Sequence, residues 1–267
     1  MKKINKIKIY TNDNKKSKEV LNRLTDILLL NKYSIVEENP DLVIAIGGDG
    51  SFLRMVKEEE YNSDYYYVGI NSGTLGFLQE VKIEDIELFI KCLNNETYKI
   101  DEIGIQETKV ATEKEELSFY SLNEIVIREK DLNTLHLKIY IKDNLLEEYV
   151  GDGILIATSI GSTAYNLSYG GSIIYDTFHT LQITPIAPLN NSAYRNLLNP
   201  VIIPDKDQIK VIPDYNSINL LISIDGENKV FKQVKYIETK VDSKRIKMLR
   251  FGNYNYWQKI NDKFLSK

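Results

Sequence analysis

The chain has 267 residues, 43% hydrophobic and 27% charged, with a formal net charge of −4. That length allows one large core or two modest ones, and the ordinary balance of apolar and charged residues excludes disordered and fibrous classes. With no basic excess, neither nucleic acid nor an anionic membrane is expected as the main partner, so an anionic substrate must be held locally by backbone amides, a helix terminus or a metal.

The N-terminal residues are basic but reach polar Thr11, Asn12 and Asp13 without an apolar run, so no secretory signal is expected. No stretch nears the ~20 apolar residues of a membrane span. Ile7–Tyr10 reads as a strand. Ser17–Leu30 carries Val20, Leu21, Leu24, Ile27 and Leu28 at helical spacing. Leu42–Ile46 is a continuous apolar run, the mark of a strand buried on both faces. Gly47-Gly48-Asp49-Gly50 breaks it, and Phe52–Glu59 reads as a helix. Tyr65–Ile70 is a second buried strand, ended by Asn71-Ser72-Gly73, and Ile83–Leu93 is another amphipathic helix. Cys92 lies in that helix. It is the only cysteine, which rules out a disulfide within the chain and suits a reducing cytoplasm. Strands alternating with helices imply a parallel sheet with right-handed crossovers.

The texture changes near Tyr98. Short runs rich in Val, Ile, Thr and Tyr follow: Leu122–Ile127, Leu135–Ile141, Ile154–Ala157, Val201–Ile203, Ile218–Ile224 and Tyr236–Val241. Turn signals separate them, among them Asp225-Gly226, and the acidic run Glu113–Glu116 reads as a solvated hairpin tip. This predicts an all-β second domain with one helical insertion near Ser162–Ser168. Phe251–Phe264 reads as a docking helix on Tyr254, Trp257, Ile260 and Phe264. The expected division is 1–98 for the α/β domain, 99–241 for the β domain and 242–267 for a tail.

Four segments carry chemistry. In Gly47-Gly48-Asp49-Gly50 the glycines allow close approach of a ligand, and the helix start offers N–H groups to an anion. Asp49 then accepts a proton or holds a metal, or it merely caps the helix. The second segment, Asn71–Leu78, leaves the same edge of a parallel sheet, where ligands bind; its Phe77 either stacks on a base or packs. The third is Asn123-Glu124, two polar residues interrupting a strand. They suit ribose hydroxyls and a base edge, or form one polar strand face. The fourth runs from Asp152-Gly153 through Gly161-Ser162-Thr163-Ala164-Tyr165 to Ser168. Its small residues let a flat ligand lie on the backbone, and Tyr165 stacks beside it or lies in the core. With only His136 and His179 in the chain, a hydrolase triad is not expected. His136, Cys92 and Trp257 read as structural.

In order and spacing these segments resemble the NAD kinase family, over about Asp41 to Gly226. The Gly-Gly-Asp-Gly element alone is shared with 6-phosphofructokinases and lipid kinases; Asn-Glu together with Gly-Ser-Thr-Ala-Tyr is more specific. The resemblance implies a Rossmann-like parallel α/β domain and a C-terminal β-sandwich, with the C-terminal tail returning to the first domain. It implies phosphoryl transfer from ATP, or also polyphosphate, to the 2′-hydroxyl of the adenosine ribose of NAD. Asp49 resembles the catalytic base. The resemblance makes Gly47, Gly48 and Gly50 the expected phosphate-binding turn. Asp49, Gly50, Phe77, Asn123, Glu124, Thr163, Ala164, Tyr165 and Ser168 resemble the NAD-binding residues. Asp152 resembles a residue that reaches NAD in a neighbouring subunit, which implies a homo-oligomer, commonly a tetramer. Such transfer calls for Mg²⁺ with the nucleotide. The chain departs from the family pattern at Val150 and at Thr158-Ser159-Ile160, which bears on pocket shape and not on the chemistry. The rival readings are a lipid kinase, which would need a membrane-facing surface, and an inactive dinucleotide sensor, which would be expected to lose Asp49 or Glu124.

Overall fold

The computed structural model describes residues 3–73, 76–131, 133–214, 219–252 and 254–266. Thr74 and Leu75 of the second segment, and Ile218 of an expected strand, lie outside the described residues. The chain forms two compact units, Met1–Ile103 with Arg245–Lys267, and Gly104–Lys244.

The first unit opens with β1 (Lys6–Thr11), α1 (Lys15–Leu30), β2 (Ser34–Ile35), β3 (Leu42–Gly47), α2 (Asp49–Glu58), β4 (Tyr66–Asn71), β5 (Val81–Lys82) and α3 (Ile86–Asn94). Strands β2, β1, β3 and β4 pair in that order, all parallel. Every residue of β3 is buried, as a strand covered on both faces requires. The Asn14 side chain caps α1 by accepting from Ser17 N at 2.8 Å. The helix then buries Val20, Leu24 and Leu28 against Ile44, Val68 and Phe89. Each such aliphatic side chain contributes ~1.5–3 kcal/mol when fully buried.

The chain leaves this unit along β6 (Tyr98–Thr112). There follow β7 (Glu116–Ser121), β8 (Glu124–Glu129), β9 (Leu135–Ile141), β10 (Asn144–Gly151), β11 (Gly153–Thr158), α4 (Tyr165–Ser168), β12 (Thr180–Ile186), β13 (Val201–Pro204), β14 (Ile209–Pro213), β15 (Asn219–Ile224) and β16 (Glu227–Lys232). The chain returns along β17 (Val234–Phe251) and ends in α5 (Tyr256–Phe264). In the second unit β13, β12, β11, β8, β15 and β16 form one antiparallel sheet. Strands β10, β9 and β14 pair in order with β17, which also pairs β6, and β6 pairs β7. Ile125, Ile156 and Ile222 of the first layer share one core with Leu137, Val211 and Ile237 of the second, which makes the unit a sandwich. The β6–β7 hairpin turns at exposed Glu113–Glu115, as expected of that acidic run.

Three local expectations need correction. Phe251, expected to open the tail helix, ends a strand instead: β17 runs to it and pairs parallel with β4, Lys247 opposite Tyr66. Its buried Ile246, Met248 and Leu249 fill an edge that β4 would otherwise leave open. The tail helix begins only after Asn255, whose side chain accepts from Gln258 N at 3.1 Å. That cap sets the phase of α5 so that Tyr256, at 3% exposure, faces inward, and Trp257, at 63%, faces outward. In the second unit the expected helical insertion shrinks to a 3₁₀ turn, Ile160–Thr163, and the single turn α4. Asn166 is buried within it, its Nδ2 donating to Ser162 O and its Oδ1 accepting from Thr184.

Candidate active site

Each unit carries a cluster built from the segments singled out above. In the first, β3 and β4 end side by side, Gly47 opposite Asn71 in register, and Ser72 N donates to Gly47 O at 3.2 Å. Two of the segments therefore meet at the carboxyl edge of a parallel sheet, the usual ligand edge. Helix α2 starts three residues earlier than expected, at Asp49, with Gly48 as N-cap and no side-chain cap. At its start lies a cleft of about 320 Å³ lined by Asn12, Gly48, Gly50, Ser51 and Arg54. Neither Gly48 nor Gly50 has an atom within 4 Å of where a Cβ would stand, so the cleft floor is bare backbone. Asn12 Nδ2 donates to Ser51 Oγ at 2.9 Å, and Arg54 donates to Thr11 O and Asn12 Oδ1 at 3.3 Å. Asn12, Ser51 and Arg54 were missed from sequence; Arg54, four residues past Gly50 on α2, was the available signal.

Asp49 does not cap its own helix. Its carboxylate crosses to the second segment and accepts from Phe77 N at 3.0 Å and Leu78 N at 2.8 Å. Gly76 makes room for it, since a Cβ there would stand 2.2 Å from Asp49 Oδ1. Gln79 closes the arrangement, its Nε2 donating to Gly48 O at 2.8 Å. Phe77 is half-buried, and its ring lies 5.4 Å from that of Phe264 and 6.4 Å from that of Tyr256. Packing against α5 is thus the contact it makes.

The second unit brings Asn123, Glu124, Thr163, Ala164 and Tyr165 together. Asn123-Glu124 does not interrupt a strand but starts one. Asp225, at the β15–β16 turn, accepts from Leu122 N, Asn123 N and Glu124 N at 2.8, 2.8 and 3.1 Å, replacing the ladder partners a continuous strand would have. Sequence reading saw Asp225 only as a turn residue. Gly161 lies on Asn123: a Cβ there would stand 2.0 Å from Asn123 O. That contact joins the third segment to the fourth.

Glu124 is 6% exposed, and its Oε2 has no hydrogen-bond partner. Burial, then the neighbouring Asp225, pushes its carboxyl up to about 8, against the pull of Tyr165's backbone N–H. Near neutral pH Glu124 therefore carries a proton and can donate, where the sequence suggested acceptors only. Burial likewise raises Asp225. Tyr165 is 44% exposed, not core. Its ring meets Tyr169 edge-on at 4.9 Å, and the two hydroxyls lie 2.8 Å apart. Arg128 donates to Tyr169 Oη. Arg128 and Tyr169 were also missed. Ser168 is exposed on α4. Asp152 is exposed beyond Gly153, at the far end of β11 from Thr158. That distance is roughly 20 Å along a six-residue strand, so the structure does not bring Asp152 to the Glu124 cluster of its own chain.

A glycine turn at an uncapped helix start, beside a carboxylate held by backbone amides, makes an edge of this α/β unit suited to a phosphate group. Residues 9–98 match the ATP-NAD kinase N-terminal domain and residues 122–248 the ATP-NAD kinase C-terminal domain. The chain belongs to the ATP-NAD kinase family. It is 39% identical to a NAD kinase of Finegoldia magna, over 97% of each chain. It is 34% identical to a NAD kinase of Streptococcus pneumoniae, over 97% of this chain and 96% of that one. Its fold is similar to that of yeast NADH kinase complexed with NADH (TM-score 0.87, 20% identity, 100% of this chain and 90% of that chain). It is also similar to an NAD kinase from Archaeoglobus fulgidus in complex with ATP (TM-score 0.78, 20% identity, 96% and 99%).

Proposed function

We propose that this chain is a NAD kinase, transferring the terminal phosphoryl group of ATP to the 2′-hydroxyl of the adenosine ribose of NAD to give NADP. The observation that carries the reading is the Asp49 carboxylate, fixed by Phe77 N–H and Leu78 N–H between the bare glycines Gly48 and Gly50. Phosphoryl transfer asks the protein for alignment and charge stabilisation rather than covalent help. The turn and the α2 start hold phosphate oxygens with N–H groups, with Arg54 near the cleft as a cation. Asp49 takes the proton of the ribose hydroxyl, a role that contributes typically ~10²–10⁴-fold.

NAD is held by Gly50, Phe77, Asn123, Glu124, Thr163, Ala164, Tyr165 and Ser168. The orphaned Glu124 Oε2 supports a hydrogen bond to the ligand. Asp152 serves NAD in a neighbouring copy. Its distance from the Glu124 cluster supports a homo-oligomer, a tetramer, as do the exposed apolar residues Leu189, Leu197, Leu198 and Ile202.

Among the described residues no three His, Cys, Asp or Glu side chains gather as a metal cage. Mg²⁺ would enter with the triphosphate, with Asp49 the nearby carboxylate, and would neutralise phosphate charge. No helix among the described residues is long and apolar enough to cross a membrane. The single thiol, Cys92, is free and buried, and we assign the enzyme to the cytoplasm. Incubating pure protein with NAD, Mg²⁺ and either ATP or polyphosphate, and assaying NADP, tests the reading and the donor together. No NADP with either donor would overturn it.

A further inference from the structure

The segment that holds Asp49 is itself held from its other side. Lys259, on α5, sends its ammonium into residues 77–80. Its Nζ donates to Gln79 O at 2.8 Å and to Phe77 O at 3.3 Å, and it pairs with Glu80 at 3.3 Å. The side chains of Lys259 and Glu80 are 14% and 3% exposed, so the pair is shielded from water. Glu80 is anchored in turn by Arg250 Nη1 at 3.2 Å and Phe251 N at 3.1 Å. In this short run the N–H groups of Phe77 and Leu78 face Asp49, while the carbonyls of Phe77 and Gln79 face Lys259. A peptide run gripped on both its N–H side and its C=O side has little freedom to shift, and charge-assisted hydrogen bonds are the stronger kind.

We propose that Lys259 is a positioning residue for the reaction: the C-terminal helix latches the 77–80 segment and thereby aims the Asp49 carboxylate. The proposal rests on the kinase reading above. Lys259 grips the carbonyl side of the segment whose N–H side holds Asp49, so it acts through that segment. Misplacement of a reacting group by about 1 Å costs on the order of 10²-fold in rate. Loss of the latch therefore lowers kcat and leaves substrate binding largely intact.

The test compares the full-length chain with Lys259→Met and Lys259→Arg by steady-state kinetics and by hydrogen exchange without substrate. Lys259→Met is expected to lower kcat ~10–100-fold, with KM for NAD and for ATP changed less than about threefold, and Lys259→Arg to restore most of the rate. Amides of a peptide covering residues 76–80 are expected to exchange about tenfold faster in Lys259→Met, while those of β3 and α2 keep the parent rate. Should Lys259→Met fail to fold, Lys259→Gln carries the same comparison. A folded variant with kcat within twofold of the parent overturns the latch, as does unchanged exchange at 76–80. Since exchange is read without turnover, an inactive parent protein would sink the kinase reading separately.

Discussion

Asp49 and Leu78 are 29 positions apart, yet the carboxylate of one accepts the backbone N–H of the other at 2.8 Å, with Phe77 N–H on the second oxygen at 3.0 Å. The candidate base is therefore part of a backbone clasp. In Asp49→Asn the amide NH₂ replaces one acceptor and meets an N–H group. We expect turnover to fall ~10²-fold or more. Because a donor is left unpaired, stability should fall by ~1–3 kcal/mol, while NAD still binds by calorimetry. Near-parental turnover would remove Asp49 from catalysis.

Two glycines should respond in opposite ways. In Gly76→Ala the new methyl stands where Asp49 Oδ1 now lies, 2.2 Å away, so turnover and melting temperature fall together. In Gly50→Ala the methyl enters open space on a helix, where Ala is better than Gly by ~0.8–1 kcal/mol. Its melting temperature should hold or rise. The KM for ATP should increase, because the cleft lined by Gly50 narrows. Unaltered KM for ATP in Gly50→Ala would argue against that cleft as the donor site.

Glu124 gives a pH dependence of definite sign. Its folded-state value, about 8, lies above the ordinary 4.5, so between those pH values the folded protein keeps a proton that the unfolded chain has released. Its contribution to stability is full below about pH 4.5 and is lost as pH rises through 8. Asp225, also raised, adds with the same sign. Chemical denaturation should show a loss on the order of 5 kcal/mol across this window. Glu124→Gln should flatten most of it and be the more stable protein at pH 8.5. Equal slopes for both proteins would refute the assignment.

Tyr165 is exposed enough for its loss to spare the core. Tyr165→Ala should raise the KM for NAD roughly threefold to tenfold, as expected of a stacking contact of ~0.5–1.5 kcal/mol. The KM for ATP and the melting temperature should barely move. Tyr169→Phe removes the hydroxyl that meets both Tyr165 and Arg128, and a smaller rise in the KM for NAD is expected. A large melting shift with an unaltered KM for NAD would show Tyr165 to be structural.

The sequence by itself determined the local pieces. Continuous apolar runs at Leu42–Ile46 and Tyr65–Ile70 mark doubly buried strands because both faces must be apolar. The glycine turns after them mark the ligand edge because parallel strands share it. The change to short Val- and Ile-rich runs marks the sandwich. Register and packing decided what those pieces touch. Gly47 opposite Asn71 carries Asp49 to Phe77 and Leu78. The β15–β16 turn sets Asp225 under Asn123 from 102 positions away. A strand at Arg245–Phe251 and the cap at Asn255 turn Tyr256 and Lys259, not Trp257, toward the 77–80 segment. Periodicity records which face of an element is apolar. The partner of a carboxylate or an ammonium depends on which distant backbone groups the tertiary fold leaves unpaired beside it.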